Sequence, residues 1–201
     1  MKKLILSLLI GATLNAATAQ ADKVADAFNK SYAYEANKDY KNAVASLELL
    51  NLQNSYEVNL RLGWLLYLNG NYSKSILHYK KAIELQPKSV EARMGLAYPV
   101  YAMGNMEDLI KNYTEVLEID PMHYTVNTRM ATIFWERKQY EQALTYVQKF
   151  LDLYPFDYTS NLIAAKIYVA LGKIVEAKKC YNTCLLYSPS DAEVLAALKK
   201  L

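Results

Sequence analysis

Side chains able to carry acid-base, nucleophilic or metal chemistry are few and scattered in this 201-residue chain. His78 and His123 are its two histidines, and neither stands at metal-ligand spacing or beside a candidate nucleophile, so each reads as a lone surface histidine. Cys180 and Cys184 fall four residues apart on one helical pattern. A regular helix does not supply the dihedral that a disulfide requires, and buried thiols are the expectation over a bridge. No catalytic residue, metal site or cofactor follows from these positions, and the chain is not read as an enzyme. The chemistry on offer is binding. Phe28 and Tyr32, then Leu60, Trp64 and Tyr67, then Met94, Tyr98 and Tyr101 recur at spacings of three and four, which places each group on one stripe of a helix. Trp135 continues the series, and Leu162 and Lys166 close it.

The elements that must carry this stripe are set by a repeat. Pro87, Pro121, Pro155 and Pro189 stand 34 residues apart each time. Aligned on them, position 8 of each block reads Gly63, Ala97, Ala131, Ala165, and position 15 reads Gly70, Gly104, Lys138, Gly172. Position 20 reads Ser75, Leu109, Ala143, Ala177; position 24 reads Tyr79, Tyr113, Val147, Tyr181; and position 27 reads Ala82, Val116, Phe150, Cys184. Each block holds two helical patterns of about 14 residues, parted by a glycine turn that ends a helix in the left-handed conformation at little cost. The proline sits between one hairpin and the next, where it cannot continue the first helix and readily precedes the second.

These residues resemble the tetratricopeptide repeat (TPR), a helix-turn-helix unit of that length with small residues near positions 8, 20 and 27 and proline near 32. The resemblance implies an all-α fold, a right-handed superhelical α-solenoid of about five repeats at about 24–55, 56–89, 90–123, 124–157 and 158–191. One hairpin cannot bury its apolar face alone, so neighbours stack along the array. The first repeat is divergent, two residues short and without the proline, and a tighter turn is expected at Leu52-Gln53-Asn54-Ser55. A short capping helix is expected over 192–201, with Val194, Leu195, Leu198 and Leu201 on its apolar stripe.

Residues 1–21 read as a secretory signal peptide instead of part of the fold. Lys2 and Lys3 precede an apolar run from Leu4 to Ile10, and Ala17-Thr18-Ala19 and Ala19-Gln20-Ala21 are small-x-small cleavage sites. The run is far short of the ~20 residues a spanning helix needs, so no integral membrane span is expected. The expected location is periplasmic or secreted, with the solenoid over 22–201. Removing Lys2 and Lys3 takes the basic count from 23 to 21 against 20 acidic residues, a formal balance of +1 in place of +3. That balance argues against nucleic acid, which calls for a concentrated basic surface.

In TPR arrays, helix A positions 2, 5, 9, 12 and 13 line the concave surface, and the resemblance puts the aromatic stripe there. It also excludes one known use. Chaperone-binding members hold a C-terminal carboxylate with Lys at 5 and Asn at 9 of the first repeat and Lys and Arg at 2 and 6 of the third. This chain has Phe28 and Tyr32, then Glu91 and Gly95, at those places. Arg61 and Arg129 are too few and too far apart for capture of an acidic motif.

A second apolar stripe on helices that already have a core face needs its own cover, either a partner or self-packing in a partly closed groove. Gly95 and Pro99 add a local irregularity. Proline leaves the Gly95 carbonyl without its N–H partner, which makes either a packing kink or an open notch in the groove. The expected function is an exported protein-protein interaction scaffold that grips an apolar or aromatic segment of a cell-envelope protein or peptide in this groove. A carbohydrate-binding module is the alternative, since Tyr and Trp faces also stack on sugar rings, although few Asn, Asp or Gln residues accompany the stripe. Self-association stays open as a further use of the surface.

Overall fold

Helix boundaries in this chain follow from its turn chemistry. The computed structural model describes residues 20–201, which hold eleven helices and no strand among the described residues. Helix α1 covers 20–36, and α2 is Tyr40–Glu48. Next come α3 (Tyr56–Leu68), α4 (Tyr72–Leu85), α5 (Val90–Ala102) and α6 (Met106–Ile119). The remainder are α7 (Tyr124–Glu136), α8 (Tyr140–Leu153), α9 (Tyr158–Ala170), α10 (Ile174–Tyr187) and α11 (Ala192–Leu198). Apart from its last two residues, which lie in α1, the leader expected over 1–21 falls outside the described residues.

The first helix of each of the four regular hairpins, and α11 after them, opens on a capping side chain. Ser55, Ser89, His123, Asp157 and Asp191 each accept a backbone N–H from the third residue on, which satisfies one of the orphan donors of the first turn. His123 is thus a helix cap, not an idle surface histidine. The turn inside a hairpin needs a left-handed residue. Gly70, Gly104 and Gly172 supply it at φ of 74°, 71° and 70°, and Lys138 takes the same conformation at φ 60° in the block without the glycine.

Two further devices recur at fixed register. Asn59, Asn127 and Asn161, at position 4, each donate through Nδ2 to the carbonyls six and four residues back, tying the connecting loop to the helix it enters. Arg93 does the same in the remaining block, its Nη1 reaching the Pro87 carbonyl at 2.6 Å. At position 1, the Tyr56, Tyr124 and Tyr158 hydroxyls meet the cap residues 33 further on, Ser89, Asp157 and Asp191. Val90 holds that position in the other block and has no hydroxyl to give.

The chain divides into two compact units, a first ending at Asn112 and a second spanning Tyr113–Leu201. In the first, α3 packs on α2, α4 and α5, and its core is built from Ala27, Ala43, Leu47, Val58, Leu62 and Leu65 with Phe28 and Trp64 partly buried against it. In the second, α9 packs on α7, α8 and α10, and Ala143, Val147, Ala164, Ile167, Tyr181, Cys184 and Val194 form the core. The aligned small positions are where helices meet. Ala97, Ala131, Ala165, Ser75, Ala143, Ala177 and Ala82 are all buried.

The two ends are irregular. Helix α2 has 9 residues where the later second helices have 14, Asn51 turns the chain at φ 51°, and the Ser55 N–H donates to the Leu52 carbonyl at 3.1 Å, closing the tight turn expected at Leu52-Gln53-Asn54-Ser55. In α11, Leu195 is 39% exposed, and it is Val194, Ala197, Leu198 and Leu201 that face the core. Cys180 and Cys184 are buried free thiols. Burial pushes the Cys184 thiol up to about 11.

An aromatic cleft as the candidate functional site

Three first-position helices and one second-position helix of the first unit converge on a cleft of about 580 Å³. Helix α1 contributes Phe28 and Tyr32, and α3 contributes Tyr56, Glu57, Leu60, Arg61 and Trp64. Helix α5 adds Glu91, Met94, Gly95 and Tyr98, and α4 sends in Tyr79. The stripe spacing of three and four is what brings side chains of α1, α3 and α5 to one side.

The rings form a connected wall. Trp64 stands 5.6 Å from Tyr67 and edge-on to Tyr98 at 5.9 Å, and Tyr67 and Tyr98 are 5.5 Å apart. Such tilted and T-shaped pairs are favoured by the ring quadrupoles. Trp64 is also held at its polar edge, since Nε1 donates to Glu35 Oε1 at 2.6 Å. The other Glu35 oxygen pairs with Arg61 at 2.6 Å. Arg61 lies over the Tyr32 ring at 3.9 Å and donates through Nε to Ser31 Oγ. This guanidinium is therefore charge-paired within its own chain, which is a stronger reason than isolation for it not to capture an acidic motif.

Tyr79 is placed by two glycines. A β-carbon on Gly63 would stand 2.9 Å from three atoms of its ring, and one on Gly95 would stand 2.2 Å from Cε1. The ring is buried to 3% exposure and still lines the cleft. Among the described residues its hydroxyl has no hydrogen-bond partner. Burial raises the phenol well above its ordinary range, with Tyr98 and Glu91 adding to the effect, so it stays a neutral O–H. The space beside Gly95 is therefore filled by the Tyr79 ring, and Gly95 is not the open notch that one reading of the sequence allowed. Pro99 is buried within an unbroken α5, in keeping with the packing alternative.

Charge at the cleft is acidic. Arg61 is neutralised by Glu35, whereas Glu57 and Glu91 face no cation among the described residues. Glu57 accepts from Ser55 Oγ at 2.7 Å, which lowers its carboxyl below the ordinary range. Glu91 accepts the Tyr56 hydroxyl at 3.1 Å.

Of the residues expected on the groove, Phe28, Tyr32, Leu60, Trp64, Met94, Gly95 and Tyr98 line this cleft. Tyr67 stands one ring behind it. Tyr101 is 65% exposed and outside the lining, and Trp135 belongs to the second unit. Sequence reasoning missed Tyr56, Glu57 and Tyr79. A tyrosine at position 24 with glycine at positions 8 and 6 of two consecutive blocks was the available signal. The stripe also resolves into two uses, since Phe28 and Trp64 partly pack on the core while Tyr32 and Tyr98 stay exposed.

A second cleft of about 480 Å³ in this unit lies beside the 49–55 connection, lined by Leu47, Asn59, Leu62, Leu77 and His78 among others. His78 is half-buried, and its Nδ1 meets Asn59 Oδ1 at 3.0 Å. Because the Asn59 amide nitrogen is committed to two carbonyls, its oxygen accepts, and Nδ1 carries the proton. Burial lowers the His78 pKa, so the ring is neutral and structural. No group of three or more His, Cys, Asp or Glu side chains able to hold a metal ion occurs among the described residues. None of their helices is long and apolar enough to cross a membrane.

Repeated helical hairpins with small residues at the crossings and an aromatic cleft define a helical-repeat fold of the kind used for protein interaction. Family profiles bear this out along the chain: a TPR-repeat profile matches residues 63–104, and tetratricopeptide-repeat profiles match 27–50, 128–157 and 158–191. The chain belongs to the tetratricopeptide-repeat family. No curated relative matches it by sequence. Among solved structures it is similar to a tetratricopeptide repeat protein from Parabacteroides merdae, with 18% identity over 86% of this chain and 70% of that one, at a TM-score of 0.73. It is also similar to MamA, with 16% identity over 86% and 96% at 0.70, and to MamA from Desulfovibrio magneticus RS-1, with 16% identity over 85% and 98% at 0.69. At these identities the likeness speaks to the fold alone.

Proposed function

We propose that the chain is an exported interaction scaffold that holds an apolar or aromatic segment of a cell-envelope protein in the first-unit cleft. The observation that carries this reading is the cleft itself, in which Tyr32 and Tyr98 keep 55% and 39% of their surface exposed beside Leu60, Met94 and a half-buried Trp64. Aromatic and apolar anchors gathered at one concave place are how interfaces concentrate their binding energy. The TPR fold supports a protein partner, and the leader pattern of residues 1–21 supports the address.

The carbohydrate reading gains one point from the structure, since Glu57, Glu91 and Tyr56 do stand beside the rings. Those groups are largely spent on one another and on Ser55 and Ser89, which leaves few free hydrogen bonders for a sugar. A photo-crosslinking residue at Tyr32, compared with one at the exposed Lys80 on α4, tests the reading in cells. A protein adduct from position 32 and none from position 80 is expected. Equal adducts from both, or none from position 32, would overturn it.

A further inference from the structure

The charge and shape of the cleft say more about the segment than that it is apolar. Three separate observations converge. The walls are ring faces, Trp64 and Tyr98 among them, and such faces attract a cation held within about 6 Å of the ring centre, as Tyr32 already holds Arg61. The floor holds Tyr79, buried to 3%, with an O–H that has no partner among the described residues and is open to a ligand's donor or acceptor. The rim holds Glu57 and Glu91 with no cation against either among the described residues, while the one lining cation, Arg61, is matched by Glu35.

We propose that this cleft receives a basic side chain, lysine or arginine, carried by an extended partner segment whose neighbouring residues are apolar. The inference rests on the interaction reading above and names the chemistry of its partner. The methylene stem of the basic side chain lies along Leu60 and Met94, as long cationic side chains do on apolar surface. Its charged end sits among the ring faces between Glu57 and Glu91, where the Tyr79 oxygen accepts one N–H. An acidic side chain in the same place would meet two carboxylates and no free cation. A neutral amide would keep the hydrogen bond and lose the charge attraction.

The test uses residues 20–201 carrying Trp135→Phe, so that Trp64 is the reporting indole, titrated with capped tripeptides. Acetyl-Leu-Arg-Leu-amide, its Lys counterpart, the Gln isostere and the Glu form are the four probes. The Arg or Lys peptide is expected to move Trp64 emission with at least tenfold tighter half-saturation than the Gln peptide, about 1.4 kcal/mol, with the Glu peptide weakest. In Glu57→Gln/Glu91→Gln protein the preference for the basic peptide over the Gln peptide should collapse, and raised salt should shrink it in the parent. Equal binding of the Arg, Lys and Gln peptides would overturn the basic-residue inference while leaving an apolar groove in place. A protein adduct from position 32 together with no response to either basic peptide would overturn this inference alone. No adduct and no response would remove both readings.

Discussion

The Tyr79 ring and the backbone of Gly95 are in such close contact that a β-carbon on Gly95 would come within 2.2 Å of Tyr79 Cε1. The ring has little room to back away, because its other edge lies against Gly63, where a β-carbon would stand 2.9 Å from it. Glycine at 95 is therefore a packing requirement imposed by the second helix of one repeat on the first helix of the next. In an ordinary helix interior Gly→Ala gains about 1 kcal/mol, whereas forcing one more carbon into a packed core loses about 1–3 kcal/mol. Overpacking should win here, so Gly95→Ala is expected to lower stability by about 1–2 kcal/mol in urea unfolding. In a Tyr79→Leu background the same change should be neutral or stabilising, since the two sites are directly coupled. A Gly95→Ala protein as stable as the parent would show that the ring has room to move.

The Tyr158 hydroxyl donates to Asp191 Oδ2, joining the first residue of α9 to the cap of α11. This bond holds the Asp191 carboxyl below its ordinary 3.8, with the Val194 N–H as the next contributor, and it pushes the Tyr158 phenol up to about 12 from 10.0. The signs follow from linkage. A depressed carboxyl contributes stability above about pH 4 that is lost as pH falls through its folded value. A raised phenol contributes stability below about pH 10 that is lost as pH climbs toward 12. The melting-temperature difference between parent and Tyr158→Phe should then be flat from about pH 5 to 9 and shrink on either side. A difference that stays constant down to pH 2 would mean that the carboxylate takes no part.

Cys180 and Cys184 pack in the core of the second unit, with Cys184 fully buried and its Sγ 3.6 Å from the Tyr158 carbonyl. A thiol pushed up to about 11 holds little thiolate at neutral pH, and burial removes what access remains. Native protein should resist iodoacetamide at pH 8 and take up two equivalents once unfolded, by mass spectrometry. Rapid stoichiometric labelling of the native chain, or a mass showing a Cys180–Cys184 bridge, would contradict the buried-thiol assignment.

The repeat was legible in the sequence because its signals are local. Proline and glycine punctuate the chain wherever it must turn, and small residues recur wherever helices cross, so Gly70, Pro87, Ala97 and Ala131 reveal period and packing without any tertiary knowledge. The position-4 clamp of Asn59, Asn127 and Asn161 was visible as a pattern but carries no propensity signal, and its meaning needs the loop carbonyls in place. The cleft was legible only as a stripe. Periodicity tells which side a residue faces and not how deep it sits, so Trp64 reads like Tyr32 although it is half-buried, bonded to Glu35 and packed on the core. Gly95 stayed open between a packing kink and a notch for a similar reason. A missing side chain looks like empty space until the residue that fills it, 16 positions earlier on another helix, is known.

The central claim is that the first-unit cleft is where a partner segment sits, and Trp64 and Trp135 can test it inside one molecule. Trp64 lines the cleft, whereas Trp135 is 37% exposed on the second unit. The segment recovered by crosslinking from position 32 should be titrated into two single-tryptophan proteins, Trp135→Phe and Trp64→Phe, with binding followed in parallel by calorimetry. A saturable emission shift that tracks the heat is expected in the Trp135→Phe protein, and no shift in the Trp64→Phe protein. Calorimetric binding to the Trp135→Phe protein without any change in Trp64 emission, or a shift confined to Trp135, would contradict it.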